Sequence, residues 1–394
     1  MSTKDKASMS IEEVCDKKTE QAFLKLPFTI YKDDPNWVPH LKQDIQKVFD
    51  PKKNKFFRHG EVIRWVLKKE GDVIGRVAAF INHKANKKSN IPLGGMGFFE
   101  CIDDREAAFS LFDQCKKWLQ EKGMEAMDGP INFGEKDKFW GLIIDNFDYP
   151  PYYNQNYNPE YYLKFFKEYG FKVYYEQFIY YRKTEDDLIP LLKEKSKRIR
   201  QDPHFTFETI KKKNLPKYAE DFRTIYNRAW VKHEGFNGME KRQAMAIMKT
   251  IKPILDEDLI YFAYYDGRPV GFFIALPEIN QIFKHVNGNL NWWGKLKFLY
   301  HQKRGNCTTF FGLAFGIDPD FQGKGLEGAI FEECKRIVSA RNKYLDVVIT
   351  WIGDFNPKMI HVIENLGAKR LRTLATYRYL FDRNAKFERA KIIE

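Results

Sequence analysis

A chain of 394 residues is too long for one ordinary domain and suits two, at roughly 150 residues each. With 43% hydrophobic residues, 34 Phe and 21 Tyr, it carries apolar surface for two cores, which excludes wholesale disorder. The 66 Lys and Arg exceed the 53 Asp and Glu by a net +13, which suits nucleic acid, an acidic lipid surface, a phosphorylated co-substrate or simply a solvated basic surface.

No stretch approaches the ~20 apolar residues that cross a bilayer, and the opening MSTKDKASMS lacks the apolar segment of a secretory signal. Five scattered cysteines (Cys15, Cys101, Cys115, Cys307, Cys334) form no CxxC pair, and the eight histidines show no HxxxH spacing. The expectation is a reduced, cytoplasmic, metal-free protein, with Cys115 and Cys334 on the packed faces of helices.

In chain order, residues 62–68 and 73–82 form a hairpin around Gly71 and Gly75. A strand at 96–102 leads through Asp103 and Asp104, good N-cap residues, into a helix bearing Ala108, Leu111, Phe112, Cys115, Trp118 and Leu119 that stops at Gly123. A strand at 126–131, a long aromatic insertion, a helix and a terminal strand at 172–181 complete a first half. Residues 186–213 are basic, from Lys193, Lys195 and Lys197 to Lys211, Lys212 and Lys213, and read as a helical connector with Pro190 and Pro203 as breakers.

The second half opens with two amphipathic helices, one bearing Tyr218, Phe222, Ile225, Tyr226 and Ala229, the other near residues 240–251. A hairpin of 259–265 and 270–276 follows, then a strand at 308–317 and a helix with Ile330, Phe331, Cys334, Ile337 and Val338. A strand at 346–352, a helix capped by Asn356 with Pro357 in its first turn, and a strand at 373–381 end the chain.

The halves repeat. Gly71 and Gly75 match Gly267 and Gly271 at an offset of 196, Asn158-Pro159 match Asn356-Pro357 at 198, and Gly170 matches Gly367 at 197. This predicts two copies of one mixed α/β domain, at 1–185 and 214–394, joined by the connector 186–213. Each is expected to be a mixed central sheet flanked by helices and closed by its own terminal strand.

The most specific chemistry lies in residues 316–329, GIDPDFQGKGLEGA. A strand ends, the chain curls through glycines, and a new helix presents unpaired N–H groups and its positive dipole end, a seat for a pyrophosphate. Lys324 adds a positive charge. Neither a GxGxxG fingerprint nor a P-loop is present, and a ligand-free turn is the competing reading.

DPDFQGKGLEGA resembles the acyl-CoA-binding motif of the GNAT acyltransferase superfamily, Gln/Arg-x-x-Gly-x-Gly/Ala. Gln322 and Gly325 match, while Glu327 stands where Gly or Ala is usual. The element order is similar too, and NPKMIHVIENLGA (356–368) resembles a later family segment. Asn36-Trp37-Val38-Pro39, the strings at 129–134 and 276–280, and Thr350-Trp351 resemble a bacterial tandem subgroup. The resemblance implies acetyl-CoA or another acyl-CoA as co-substrate, with no permanently bound cofactor and an amine as acceptor. It implies a donor site from Phe315, Ile317, Gln322, Gly323, Lys324, Gly325, Leu326, Glu327, Gly328 and Asn356. The matching stretch of the first half, ECIDDRE at 100–106, has no glycine turn, so that copy is expected to act as scaffold or cleft wall.

In this family a tyrosine often protonates the departing thiolate, but its position here is Ile363, and Phe166 in the first copy. Another group donates, the thiolate leaves unassisted, or the protein is not catalytic. Glu278 with Asn280, His233 with Glu234, and Asp354 are the candidate catalytic groups, each with a structural alternative. Tyr377 and Tyr379 read as core. The aromatic loop 149–157 reads as a lid or an inter-domain contact. Residues 291–300, with Trp292 and Trp293, read as packing against the other copy, with a membrane interface or a lipid chain as the alternative.

Three functions fit. The first is a GNAT-fold N-acyltransferase, acetyl by default. The second transfers a long acyl chain, from CoA or acyl carrier protein, to an amino lipid such as a sphingoid base, at the inner face of an acidic membrane. The third is a non-catalytic acyl-CoA-binding regulator. A nucleic-acid binder ranks last for want of a recognition motif.

Overall fold

The computed structural model describes residues 9–87, 89–230 and 238–393. The first half holds β1 (Met9–Glu13), α1 (Lys17–Ile30), α2 (Lys42–Val48), β2 (Gly60–Lys69), β3 (Asp72–Asn82), α3 (His83–Asn86), β4 (Leu93–Cys101) and α4 (Arg105–Glu121). It continues with β5 (Ala126–Gly129), β6 (Leu142–Ile143), α5 (Tyr162–Tyr169) and β7 (Lys172–Lys183). The second half runs through α6 (Pro190–Gln201), β8 (Phe205–Thr209), α7 (Leu215–Trp230), α8 (Lys241–Ile251), β9 (Ile260–Tyr265), β10 (Arg268–Pro277), α9 (Asn280–Phe283) and α10 (Trp292–Lys303). It ends with β11 (Thr309–Ile317), α11 (Leu326–Arg341), β12 (Asp346–Gly353), α12 (Pro357–Asn365) and β13 (Lys369–Leu380).

Both predicted hairpins form around two-residue turns. Glu70-Gly71 and Asp266-Gly267 all have positive φ, the backbone whose twist matches that of the flanking strands. Side chains of β10 alternate between two helical layers. Phe272 and Ile274 meet Phe222, Ile225 and Met248 of α7 and α8, while Phe273 and Ala275 meet Ile330, Phe331 and Cys334 of α11. In the first half α4 and α5 supply Leu111, Phe112, Cys115, Phe165 and Phe166, all buried. Cys115 and Cys334 are core residues, as their helical positions require.

The strands join in one sheet, in the order β1-β2-β3-β4-β5-β13-β7-β12-β11-β10-β9-β8, with β6 beside β13. This corrects the expectation that each half is closed by its own last strand. The last strand of the second half, β13, pairs with β5 of the first, and β7 pairs with β12 of the second. Asp128 on β5 is buried, and Arg378 on β13 meets it with two hydrogen bonds of 2.7 and 2.8 Å. Opposite the apolar Val348 and Ile349 of β12 stand Tyr181 and Tyr180 of β7. A buried carboxylate needs a cation, and β13 supplies one directly opposite it.

Residues 188–209 are built into the second half. Leu188 and Leu192 pack in its core, and β8 extends the sheet beside β9. The aromatic loop 149–157 joins the halves: the Asn280 side chain donates to Pro151 O at 2.8 Å, and the buried Arg372 donates to the carbonyls of Asn146, Tyr149 and Pro150. Within 291–300 the expected contact with the other copy is made by Phe298, which packs on a cluster that includes Val38 and Leu41 of the first half, whereas Trp292 and Trp293 are 65% and 66% exposed.

Candidate functional site

The two strands that flank the predicted ligand turn pair over only four residues. Thr309–Gly312 of β11 run parallel to Asp346–Ile349 of β12, and then the strands part. β12 continues along β7 through Ile352 and Gly353, whereas β11 keeps only its β10 partner as far as Ile317. Leu313 is an extra residue on β11, between the pairs Ile274–Ala314 and Ala275–Gly312. A bulge of this kind bends a strand and re-aims its peptide groups. Leu313 is 42% exposed, so an open strand edge of about 16 Å leads from the bulge toward the glycine turn.

The same opening exists in the first half and is filled. β4 and β5 pair over Leu93–Gly95 and then part, with the matching bulge near Phe98, at φ 51°. There Ile131 N donates to Met96 O at 2.8 Å, and a Cβ on Gly97 would lie 1.8 Å from Ile131 O. At the helix that follows, Asp104 accepts from the N–H groups of Glu106 and Ala107 at 2.9 and 3.1 Å, closing the site where an anion would sit. Nearby Glu100 is buried against Tyr31 and Tyr162, and burial pushes its carboxyl above the usual range although Arg76 lies beside it. Only the second opening is free.

At the second turn Gly325 is the N-cap of α11, with φ 99° and no side-chain cap, so the first N–H groups of α11 lack such a partner. Gly323 has φ 71° and open space around it, and Lys324 is exposed beside the Phe321 ring at 5.5 Å. Gln322 turns its amide back onto Ile317 O at 3.0 Å. Leu326 and Ile317 are core residues and Phe315 is half-buried. One oxygen of Glu327 is buried with no hydrogen-bond partner.

The sequence missed what stands against this turn. A Cβ on Gly325 would lie 2.5 Å from Lys195 Cβ, and one on Gly328 would lie 2.9 Å from Leu192 Cγ. These two glycines therefore let α6 approach the start of α11. The contact brings Lys195 Nζ to 3.4 Å from Gly323 O. Lys195 and Lys324 carry no ion pair among the described residues, whereas Arg228 and Arg268 beside them are neutralised by Asp318 and Asp320. The only trace of this in the sequence was the run of charge in 186–213.

The other candidates do not gather at the turn. Asn356 caps α12 through Met359 N at 3.2 Å, and Asp354 pairs with Arg389 of the C-terminal segment. His233 and Glu234 lie outside the described residues. Ile363 and Phe166 are buried and offer no proton. Glu278 sits beyond β10, 2% exposed, and its Oε1 accepts from Asn280 N at 2.9 Å and Tyr153 N at 3.1 Å. Its Oε2 has no partner, and burial pushes its carboxyl up to about 8. A cleft of about 400 Å³ lined by Ile254, Asp256, Pro277, Gln302, Cys307 and Lys343 lies at the far end of α11. It includes none of the predicted donor-site residues and is about 24 Å from the turn along the helix.

No family model matches the chain. Over 361 residues it is 26% identical to Protein YghO of Escherichia coli (strain K12), covering 91% of this chain and 92% of that protein. Over 379 residues it is 24% identical to the Bacterial ceramide synthase of Caulobacter vibrioides, covering 94% and 97%. Among solved structures, a tandem GNAT protein from the clavulanic acid biosynthesis pathway aligns with a TM-score of 0.54 at 9% identity, over 96% of this chain and all of that one. The fold is that of a tandem GNAT protein. A GCN5-related N-acetyltransferase from Sphaerobacter thermophilus aligns with a TM-score of 0.50 at 9% identity, over 97% and 98%.

Proposed function

We propose that the protein is an N-acyltransferase whose second half holds an acyl-CoA thioester and passes the acyl group to the amine of an amino lipid, such as a sphingoid base. The observation that carries this is the asymmetry of the two openings: the first is plugged by Ile131, the second is a free strand edge leading to an uncapped helix start. The amide-bearing arm of CoA fits an open strand edge, as an added strand does. Its pyrophosphate fits the first turn of α11, where Lys324 is exposed in the turn and Lys195 Nζ lies 3.4 Å from Gly323 O. The bulge at Leu313 frees peptide groups from the strand ladder, and such groups can polarise the thioester carbonyl. The amino-lipid acceptor is supported by the relative named a ceramide synthase, which is similar over nearly its whole length.

In this reading Glu278 takes the proton from the attacking amine. Its carboxyl, raised to about 8, is matched to that task near neutral pH. The amine nitrogen bonds to the acyl carbon, the carbon–sulfur bond breaks, and the thiolate leaves carrying its electron pair. A second reading, an acyl-CoA-binding regulator without turnover, is favoured by the buried Ile363 where the family places its acid.

Calorimetric titration with CoA, acetyl-CoA and palmitoyl-CoA, followed by turnover assays on amines and long-chain bases, separates these readings. Binding with amide formation on a long-chain base is expected. Binding without turnover on any acceptor selects the regulator, and absence of binding by all three donors overturns the donor site.

A further inference from the structure

The link between the hairpin and the next strand differs sharply between the halves. Residues 83–92 make it in the first, and residues 278–308 in the second. The added length is α9 and α10. Inward, α10 is anchored: Gly294 is buried, a Cβ there would lie 2.0 Å from Asn289 O, and the Phe298 ring sits 5.4 Å from Phe283. Outward, Trp292, Trp293, Leu296, Leu299 and Tyr300 are 42–66% exposed. Their spacing puts them on neighbouring turns, as one apolar surface. Single exposed apolar residues are ordinary, whereas a contiguous group marks an interaction site.

Charge identifies the partner. Between Glu278 and Asp318 the chain has no acidic residue, while Lys284, Lys295, Lys297, Lys303 and Arg304 are all cationic. Lys295, Lys297 and Lys303 carry no ion pair among the described residues, and Arg304 reaches only the Tyr300 hydroxyl, at 2.6 Å. We infer that α10 docks this protein on an anionic lipid bilayer, lying in the headgroup plane with its tryptophans inserted and its lysines on lipid phosphates. Indole rings favour that interface because they are apolar with one N–H, and lysine stems lie along the apolar layer while the ammonium stays wet. At 12 residues, α10 is about 18 Å long, too short to cross, and no helix of the described residues is long and apolar enough to do so. Gln302 and Gly305, at the far end of α10, line the 400 Å³ cleft, so docking would set the mouth of that cleft beside the lipid.

The inference is independent of which acyl group moves, and its test needs no turnover. The full-length protein is floated with phosphatidylcholine vesicles, with and without phosphatidylglycerol, at low and high salt. Flotation is expected with phosphatidylglycerol at low salt and not at high salt. The Trp292→Ala/Trp293→Ala variant should lose at least about tenfold in partition, and Lys295→Ala/Lys297→Ala about fivefold per charge removed. All four side chains are exposed, so unchanged melting temperatures keep the comparison clean. Failure to float at low salt, or tryptophan variants that float like the wild type, overturns the inference. So does a wild-type dimer that Trp292→Ala/Trp293→Ala makes monomeric without changing flotation, because the patch would then be covered by a second copy.

Discussion

Replacing Glu278 with glutamine should make the protein more stable as pH rises. The carboxyl is 2% exposed, receives two backbone N–H groups on one oxygen, and leaves the other without a partner. Burial outweighs the two donors and lifts its titration from 4.5 to about 8. In that interval the folded protein holds a proton that the unfolded chain releases, so stability falls with pH by ~1.4 kcal/mol per unit. The full stabilisation of the neutral acid is present below pH 4.5, and about 5 kcal/mol of it is gone above pH 8. Glutamine is neutral throughout and keeps a carbonyl for the two N–H groups. The free energy of unfolding, from urea titrations followed by circular dichroism across this range, should diverge between wild type and Glu278→Gln by that amount. The difference cancels every other titrating group. A constant offset from pH 4.5 to pH 8 would refute the reasoning and put Glu278 in contact with water or a cation. If Glu278 also acts as base, kcat/KM should climb toward pH 8 and fall by about 100-fold or more in the glutamine variant; retained activity would leave it a structural clamp.

Gly325→Ala should destabilise by about 2–4 kcal/mol, because φ is 99° and the new Cβ would lie 2.5 Å from Lys195 Cβ. Gly323→Ala, in open space at φ 71°, should lose only about 1 kcal/mol, and equal losses in urea unfolding would deny the helix contact. Charge reversal by Lys195→Glu or Lys324→Glu should weaken CoA about tenfold each, by calorimetry, with unchanged melting temperature; unaltered affinity would remove α6 from the donor site. Arg378→Met strands a buried carboxylate and should lose about 3–5 kcal/mol. Because Arg378 meets Asp128 on β5, hydrogen exchange should quicken in the first half of the chain; a change confined to the second half would contradict the exchanged strand.

Much of the fold was legible because its signals are local. Two-residue turns at Gly71 and Gly267, the cap at Asp104, and the stripe through Ile330, Phe331 and Cys334 each depend on neighbours a few residues away, and each is present as read. The glycine turn was equally visible as 316–329, and so was its absence from the first half. What it touches was not. Gly325 and Gly328 read as room for a ligand, yet their missing Cβ atoms also admit α6, a contact 130 residues away in the chain.

By itself, then, the sequence determined the repeat, the hairpins with the strands and helices that follow them, the loss of the turn in one copy and the patch of tryptophan and lysine, since all are patterns of spacing and composition; β8, α9 and α10 emerged only in the structure. Tertiary structure decided which strand closes which half, which opening stays free and which face of α10 remains bare. The buried Asp128 of β5, for instance, stands opposite Arg378 of β13, a partner 250 residues away in the chain. Long-range pairing is chosen by such partners across the sheet, and no local pattern in the chain records them.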